Sequence, residues 1–167
     1  SPRAHLWSLR FGSTGSDAGY GVGIDSGGNV YVVGTFSGTV NFGGGSLVSA
    51  GNSDIFIAKY SSAGAQVWSK SIGGTGTEVA NGIAVKGDGT FAVTGQFGNF
   101  GGPVDFGGGP LTSAGGSDVF VAEYASSGAH VWSRAIGGTG NDVGFSVAID
   151  GTSGAVAISG IFTGNVS

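Results

Sequence analysis

The sequence contains no cysteine and no methionine, only 3 prolines in 167 residues, and charged side chains at just 10% of the total. Without cysteine there are no disulfides, no thiolate metal sites and no thiol nucleophile. Without an initiator methionine the chain reads as a processed or excised piece, so a missing leader carries no weight. Six Lys and Arg against ten Asp and Glu give a net charge of −4, which leaves no basic footprint for nucleic acid. No segment approaches the roughly 18 consecutive apolar residues that a membrane-spanning helix requires. A Cys-free surface rich in Ser, Thr and Gly and poor in Lys fits an exported protein.

Glycine is abundant, at 38 residues, and apolar residues make up 40%. The glycines follow no three-residue period, which excludes a collagen helix, and the apolar content is enough for a core. So many glycines fit a chain with many tight turns between short strands.

Internal repetition is the strongest signal. Trp7, Trp68 and Trp132 open near-identical phrases, LWSLRFGSTG, VWSKSIGGTG and VWSRAIGGTG, spaced 61 and 64 residues apart. In each, a carboxylate follows in register: Asp17, Glu78 and Asp142. GVGID, GIAVK and SVAID come next, then a Gly-rich turn, then VYVVGTF, FAVTGQF and AVAISGIF. Two copies continue through VNFGGGSLVSAGNSDIFIAKY and VDFGGGPLTSAGGSDVFVAEY. The three extra residues of the second copy fall in a loop at 98–103. The units lie near 7–67, 68–131 and 132–167, the last incomplete, and form one repeat region over 1–167.

Alternation and turn chemistry predict four strands per unit, over Tyr20–Asp25, Val30–Phe36, Asp54–Tyr60 and Ala65–Ile72 in the first. No segment has a helical period. Four antiparallel strands repeated at this spacing predict an all-β fold of propeller blades, about two complete with partial flanking blades. The small residues Gly19, Gly21, Gly23, Ala80, Gly82, Ala84, Gly144 and Ala148 place the first strand of each unit nearest the axis, where blades crowd. The Trp-bearing strand is then outermost, so the chain is expected to begin with an outer strand and to stop after the second strand of a third blade.

These phrases resemble the bacterial SBBP-type β-propeller repeats, a family named for a seven-bladed propeller. The resemblance rests on Trp68-Ser69-Lys70 with Gly73-Gly74-Thr75-Gly76, on Gly82-Ile83-Ala84-Val85, and on Ser53–Tyr60 with its counterpart Ser117–Tyr124. It implies a secreted or cell-surface bacterial setting and a scaffold or binding role, and it carries over no catalytic residues. Fewer than three units do not make seven blades. Partner surfaces are therefore expected from further blades, in the same longer chain or in a homo-oligomer.

Three sets of polar residues repeat. Asp17, Glu78 and Asp142 precede the inner strand, where they would either ring one mouth of a channel and hold a cation such as calcium or fix their loops by accepting backbone N–H bonds. Asn41 with Asp105, and Asp54 with Asp118, flank Gly-rich loops that would either present backbone groups to a ligand or simply shape the turn. No P-loop, dinucleotide-binding turn or EF-hand pattern accompanies them. Trp7, Trp68 and Trp132, with Phe56 and Phe120, read as packing between blades, since burying one such side chain contributes roughly 1.5–3 kcal/mol or more. The histidines, His5 and His130, occupy equivalent positions held apart by the repeat, which gives no zinc set.

Every polar motif repeats with the fold and none breaks it. The expectation is a non-catalytic extracellular scaffold or recognition module for protein or ligand partners, without a cofactor unless calcium. Two alternatives stand beside it: a lectin-like module binding glycans at successive blades, and a fragment of a larger secreted enzyme whose active residues lie elsewhere.

Overall fold

The computed structural model describes residues 5–99 and 101–164, and all its regular structure there is β. The first sheet is built from β1 (Ala18–Ile24), β2 (Val30–Phe36), β5 (Asp54–Tyr60) and β6 (Gln66–Ile72), in that order and antiparallel. Between its second and third strands lies a small hairpin, β3 (Thr39–Asn41) with β4 (Ser46–Val48). The second sheet repeats the plan with β7 (Thr77–Val85), β8 (Phe91–Asn99), β11 (Asp118–Tyr124) and β12 (His130–Ile136). Its small hairpin is β9 (Val104–Asp105) with β10 (Pro110–Leu111). A third unit supplies the pair β13 (Val143–Ile149) and β14 (Val156–Ile161). These are two four-stranded propeller blades and the inner half of a third.

The alternation that predicts β5 also decides what each of its faces covers. Ile55 and Ile57 join the core shared with the second sheet, which includes Phe91, Val93, Phe97, Phe120 and Tyr124. Phe56, Ala58 and Tyr60 point the other way, into a second cluster with Phe36, Val40 and Phe42. With both faces covered, all seven residues of β5 are buried. Alternation survives here as a choice between two cores, which is why the strand reads as a nearly continuous apolar run.

The inner strands β1, β7 and β13 stack against one another from blade to blade. Ile83 Cγ2 sits where a Cβ on Gly21 would be 3.1 Å away, and Val85 closes over Gly23 in the same manner. At the next seam Gly82 leaves room for the backbone of Ser146, which a Cβ there would meet at 3.2 Å. At the first seam the second blade therefore presents larger residues to the glycines of the first, and at the second seam Gly82 admits the backbone of β13 itself. Val22 and Ile24, the counterparts of Ile83 and Val85, have no preceding blade among the described residues and are 65% and 62% exposed.

Every inner strand carries a register shift at the same place, between Gly19 and Gly21, Ala80 and Gly82, and Gly144 and Ser146. The bulge pushes a carbonyl of the inner strand toward the second strand. Gly34 and Gly95 accept it: a Cβ at either would collide with the carbonyl of Ala18 or Val79 and press on the ring of Phe56 or Phe120. This requirement explains a glycine in the middle of an otherwise β-branched strand.

Three details differ from the sequence reading. Residues 5–12, expected as an outer strand, form none, because the described residues offer no third strand to pair with their amides. The first strand runs Ala18–Ile24 instead of Tyr20–Asp25, and the fourth starts at Gln66. The Gly-rich loops after β2 and β8 contain the hairpins β3–β4 and β9–β10, whose strands of two or three residues are too short to show a period.

Candidate functional site

The repeated polar residues fall at three kinds of place. Asn41 and Asp105 sit at the tips of the small hairpins. Asn41 Oδ1 accepts the amides of Gly43 and Gly45 at 2.8 and 3.2 Å, and Asp105 Oδ1 those of Gly107 and Gly109 at 2.7 and 3.0 Å. The Gly107 and Gly109 amides hold the Asp105 carboxyl below its ordinary value. Both side chains shape the turns that seat Phe42 and Phe106 in the core. From beneath, the hydroxyls of Tyr60 and Tyr124 donate to the carbonyls of Phe42 and Phe106 at 2.9 and 3.0 Å. Burial pushes the Tyr60 phenol up to about 12 and the Tyr124 phenol higher still.

Asp17, Glu78 and Asp142 each accept the amide four residues upstream. Ser13 N–H donates to Asp17 at 2.6 Å, Gly74 N–H to Glu78 at 2.8 Å and Gly138 N–H to Asp142 at 2.8 Å. The amides of Ser37 and Thr163, just past the second strands, donate to Asp17 and Asp142 at 3.3 and 2.6 Å. Each carboxylate thus fastens a Gly-rich loop. Glu78 and Asp142 are fully buried.

Asp54 and Asp118 are 2% exposed and accept the amides of Ala50 and Ala114, each at 3.0 Å. They do not stand alone. Parallel bridges join Ser53 to Thr77 and Ser117 to Asn141, so the next residues run side by side across each seam. Asp54 of the first blade is thereby beside Glu78 of the second, and Asp118 of the second beside Asp142 of the third unit. Two of the three carboxylates expected either to ring a channel mouth or to fix their loops, Glu78 and Asp142, thus each lie beside a member of the set expected at separate loops. Aligning each set only with its own copies hides this pairing, since the partners come from neighbouring units. Among the described residues no group of three or more His, Cys, Asp or Glu side chains gathers to hold a metal.

The tryptophans serve the seams. Trp68 Nε1 donates to the Ser126 carbonyl in the next blade at 3.2 Å, and its ring stacks on Phe91 at 6.0 Å. Trp7 does the same for the first blade, donating to the Ser62 carbonyl at 3.0 Å and lying 6.4 Å from Tyr60. Gly64 and Gly128 (φ +83° and +82°) bring the backbone beneath these two rings, where any side chain would be both strained and crowded. Trp132 is partly exposed and donates to Glu123 on its own sheet at 2.9 Å. His130 lies 3.0 Å from the Ser133 hydroxyl and edge-on to Tyr124, while His5 is exposed.

A loop fixed by a repeated carboxylate, followed by a bulged strand of small residues and a second strand with a mid-strand glycine, is the geometry of Trp7 through Thr35. Residues 6–35 match the SBBP beta-propeller repeat. The SBBP segment covers the first seam tryptophan, Asp17, β1 and nearly all of β2, and the same phrases recur around Trp68 and Trp132. This repeat points to a propeller-type scaffold. No curated protein matches the chain.

Two clefts among the described residues are mainly apolar. One, of about 380 Å³, is lined by Val121, Trp132, Arg134, Ile136, Val156 and Ile158, at the outer part of the second seam. The other, of about 180 Å³, lies between the first sheet and residues 11–12, against Phe42, Phe56 and Tyr60. Neither gathers a nucleophile with a base, so their chemistry is that of burying apolar surface.

Proposed function

We propose that the chain is a non-catalytic SBBP-repeat scaffold, exported to the bacterial surface or beyond, whose blades present recognition surfaces to other proteins. The observation that carries this reading is the use made of the repeated polar side chains. Asn41 and Asp105 shape turns, Asp17, Glu78 and Asp142 fasten loops, and Asp54 and Asp118 lie in the seams. None is left in a cleft with the partners that bond-breaking chemistry needs.

The partner this reading favours first is another blade of the same kind, in a longer chain or in a second copy. The first unit ends in exposed Val22 and Ile24, and the third in exposed Ser146 and Ala148. These are the large and small halves of the packing that joins the inner strands internally, so one end fits the other in a head-to-tail sense.

The test joins native mass spectrometry of the chain and of Val22→Asp/Ile24→Asp with surface biotinylation of cells making the native protein. Label on the protein from outside the cell and self-association lost in the double variant support the reading. An intracellular location, or turnover of ester, glycoside or peptide substrates by the purified chain, overturns it.

A further inference from the structure

The two buried carboxylate pairs differ in how their oxygens are used. At the second seam every oxygen has a donor. Asp118 accepts from the Ser113 hydroxyl and the Ala114 amide, at 3.2 and 3.0 Å, and Asp142 from the amides of Gly138 and Thr163, at 2.8 and 2.6 Å. At the first seam Asp54 Oδ2 and Glu78 Oε2 are matched by the Ala50 and Gly74 amides. Asp54 Oδ1 and Glu78 Oε1, on residues 2% and 0% exposed, have no hydrogen-bond partner. The Ser49 hydroxyl lies 3.5 Å from the Gly51 carbonyl just as that of its counterpart Ser113 lies 3.3 Å from the Gly115 carbonyl, but only Ser113 also reaches its aspartate.

The backbone fixes these two residues close together. Glu78 N–H donates to the Ser53 carbonyl at 3.0 Å, and the Thr35 hydroxyl lies 3.2 and 3.0 Å from the carbonyls of Asp54 and Glu78. Around the pair β2 presents the uncharged Thr35, the loop before β7 presents Gly73 and Gly74, and the loop before β5 presents Ser49, Ala50 and Gly51. Among the described residues, Asp54 is the charged side chain that acts on Glu78. The ion pair found among the described residues, Lys86 with Asp88, does not involve them.

Two acceptors without a donor, both buried, are costly. A calcium ion would need about six to eight oxygens, and only two are free. One proton is enough, because it turns one oxygen into a donor toward the other.

We propose that Asp54 and Glu78 share a single proton at neutral pH, forming a carboxylic acid–carboxylate hydrogen bond that seals the first blade seam and makes it pH-sensitive. The proton belongs to the pair and not to either residue. Burial pushes the Glu78 carboxyl up, opposed by the Gly74 amide, reinforced by the Asp54 charge and opposed again by the Gly98 amide, which falls outside hydrogen-bonding geometry. A carboxyl raised in the fold stabilises it fully below the ordinary value of 4.5, and that contribution is lost as pH rises through the folded value.

The test is a thermal unfolding series of the full chain from acid to mildly alkaline pH, for wild type and Glu78→Gln, with EDTA or calcium present. The wild-type midpoint should fall as pH rises above about 4.5 relative to the variant, whose amide supplies a permanent donor. Infrared spectra of the wild type alone should hold a protonated-carboxyl C=O band at neutral pH, which keeps the proposal testable if the variant fails to fold. Parallel pH slopes in the two proteins, absence of that band, or a calcium-induced rise in the wild-type midpoint would each overturn the shared proton.

Discussion

At the seam between the first two blades, three donors from one sheet converge on one turn of the next. Trp68 Nε1 and Lys59 Nζ reach the Ser126 carbonyl at 3.2 and 3.1 Å, and Lys70 Nζ reaches that of Gly128 at 2.8 Å. The two ammonium groups also lie over the rings of Tyr31 and Tyr124, at 4.8 and 4.3 Å. At the second seam the same positions hold Trp132, Glu123 and Arg134, and the tryptophan bonds to Glu123 beside it. Here the inner half of the seam is closed, with Asn81 Nδ2 donating to the Gly144 carbonyl at 2.8 Å, while the outer half is the larger apolar cleft. The difference separates two fastenings. Inner strands lock by close approach onto glycine, from side chains at the first seam and from backbone at the second. Outer strands lock by reaching the turn between the third and fourth strands of the following blade, and β12 finds no such turn among the described residues.

The largest effect should come from the tryptophans. Trp68→Ala removes a stacked ring and its hydrogen bond and should cost about 3–5 kcal/mol in urea unfolding. Trp132→Ala, truncating a ring whose hydrogen bond stays within its own sheet, should cost less than half as much. Equal losses would erase the distinction between closed and open outer seams.

The carboxylate pairs should separate next. Asp142→Asn replaces one acceptor oxygen with a donor facing other donors and should cost about 1–3 kcal/mol. Glu78→Gln, which places a donor beside orphaned acceptors, should cost less or stabilise at neutral pH. The same unfolding experiment reads both, and a larger loss in Glu78→Gln would contradict the assignment of donors at the two seams.

A smaller and more uniform effect is expected at the tyrosines that pin the hairpins. Tyr60→Phe and Tyr124→Phe should each lose about 0.5–1.5 kcal/mol, since both blades use the same bond. Both phenols are raised by burial, so the fold favours their neutral form. Their contribution is complete below the ordinary tyrosine value of 10.0 and should fade as pH climbs, through about 12 for Tyr60. Spectroscopic titration should therefore find these phenolates appearing only well above the ordinary tyrosine value of 10.0.

Much of this architecture was legible in the sequence for identifiable reasons. Ile55, Ile57 and Lys59 alternate with Phe56, Ala58 and Tyr60 because the two faces of β5 meet different surroundings, and the alternation persists although both are buried. The small residues of β7 mark the axis because blades crowd there. The Trp phrases recur because each ring fills the same place over the next blade. What stayed hidden depends on contacts between units. The partnership of Asp54 with Glu78 arises from a single parallel bridge that no periodicity announces. The hairpins at Asn41 and Asp105 have strands too short to alternate. The non-strand course of residues 5–12 follows from the lack of a pairing partner among the described residues and not from their composition, which matches that of β6 and β12.

The most direct test of the seam account is amide hydrogen exchange resolved by residue. The slowest exchange is expected in Ile55–Ala58 and Val119–Ala122, central strands covered on both faces, and much faster exchange in β14, whose sheet has two strands among the described residues and an open outer seam. Protection in β14 equal to that of β5 and β11 would contradict it, because blade closure would then owe nothing to the outer fastening.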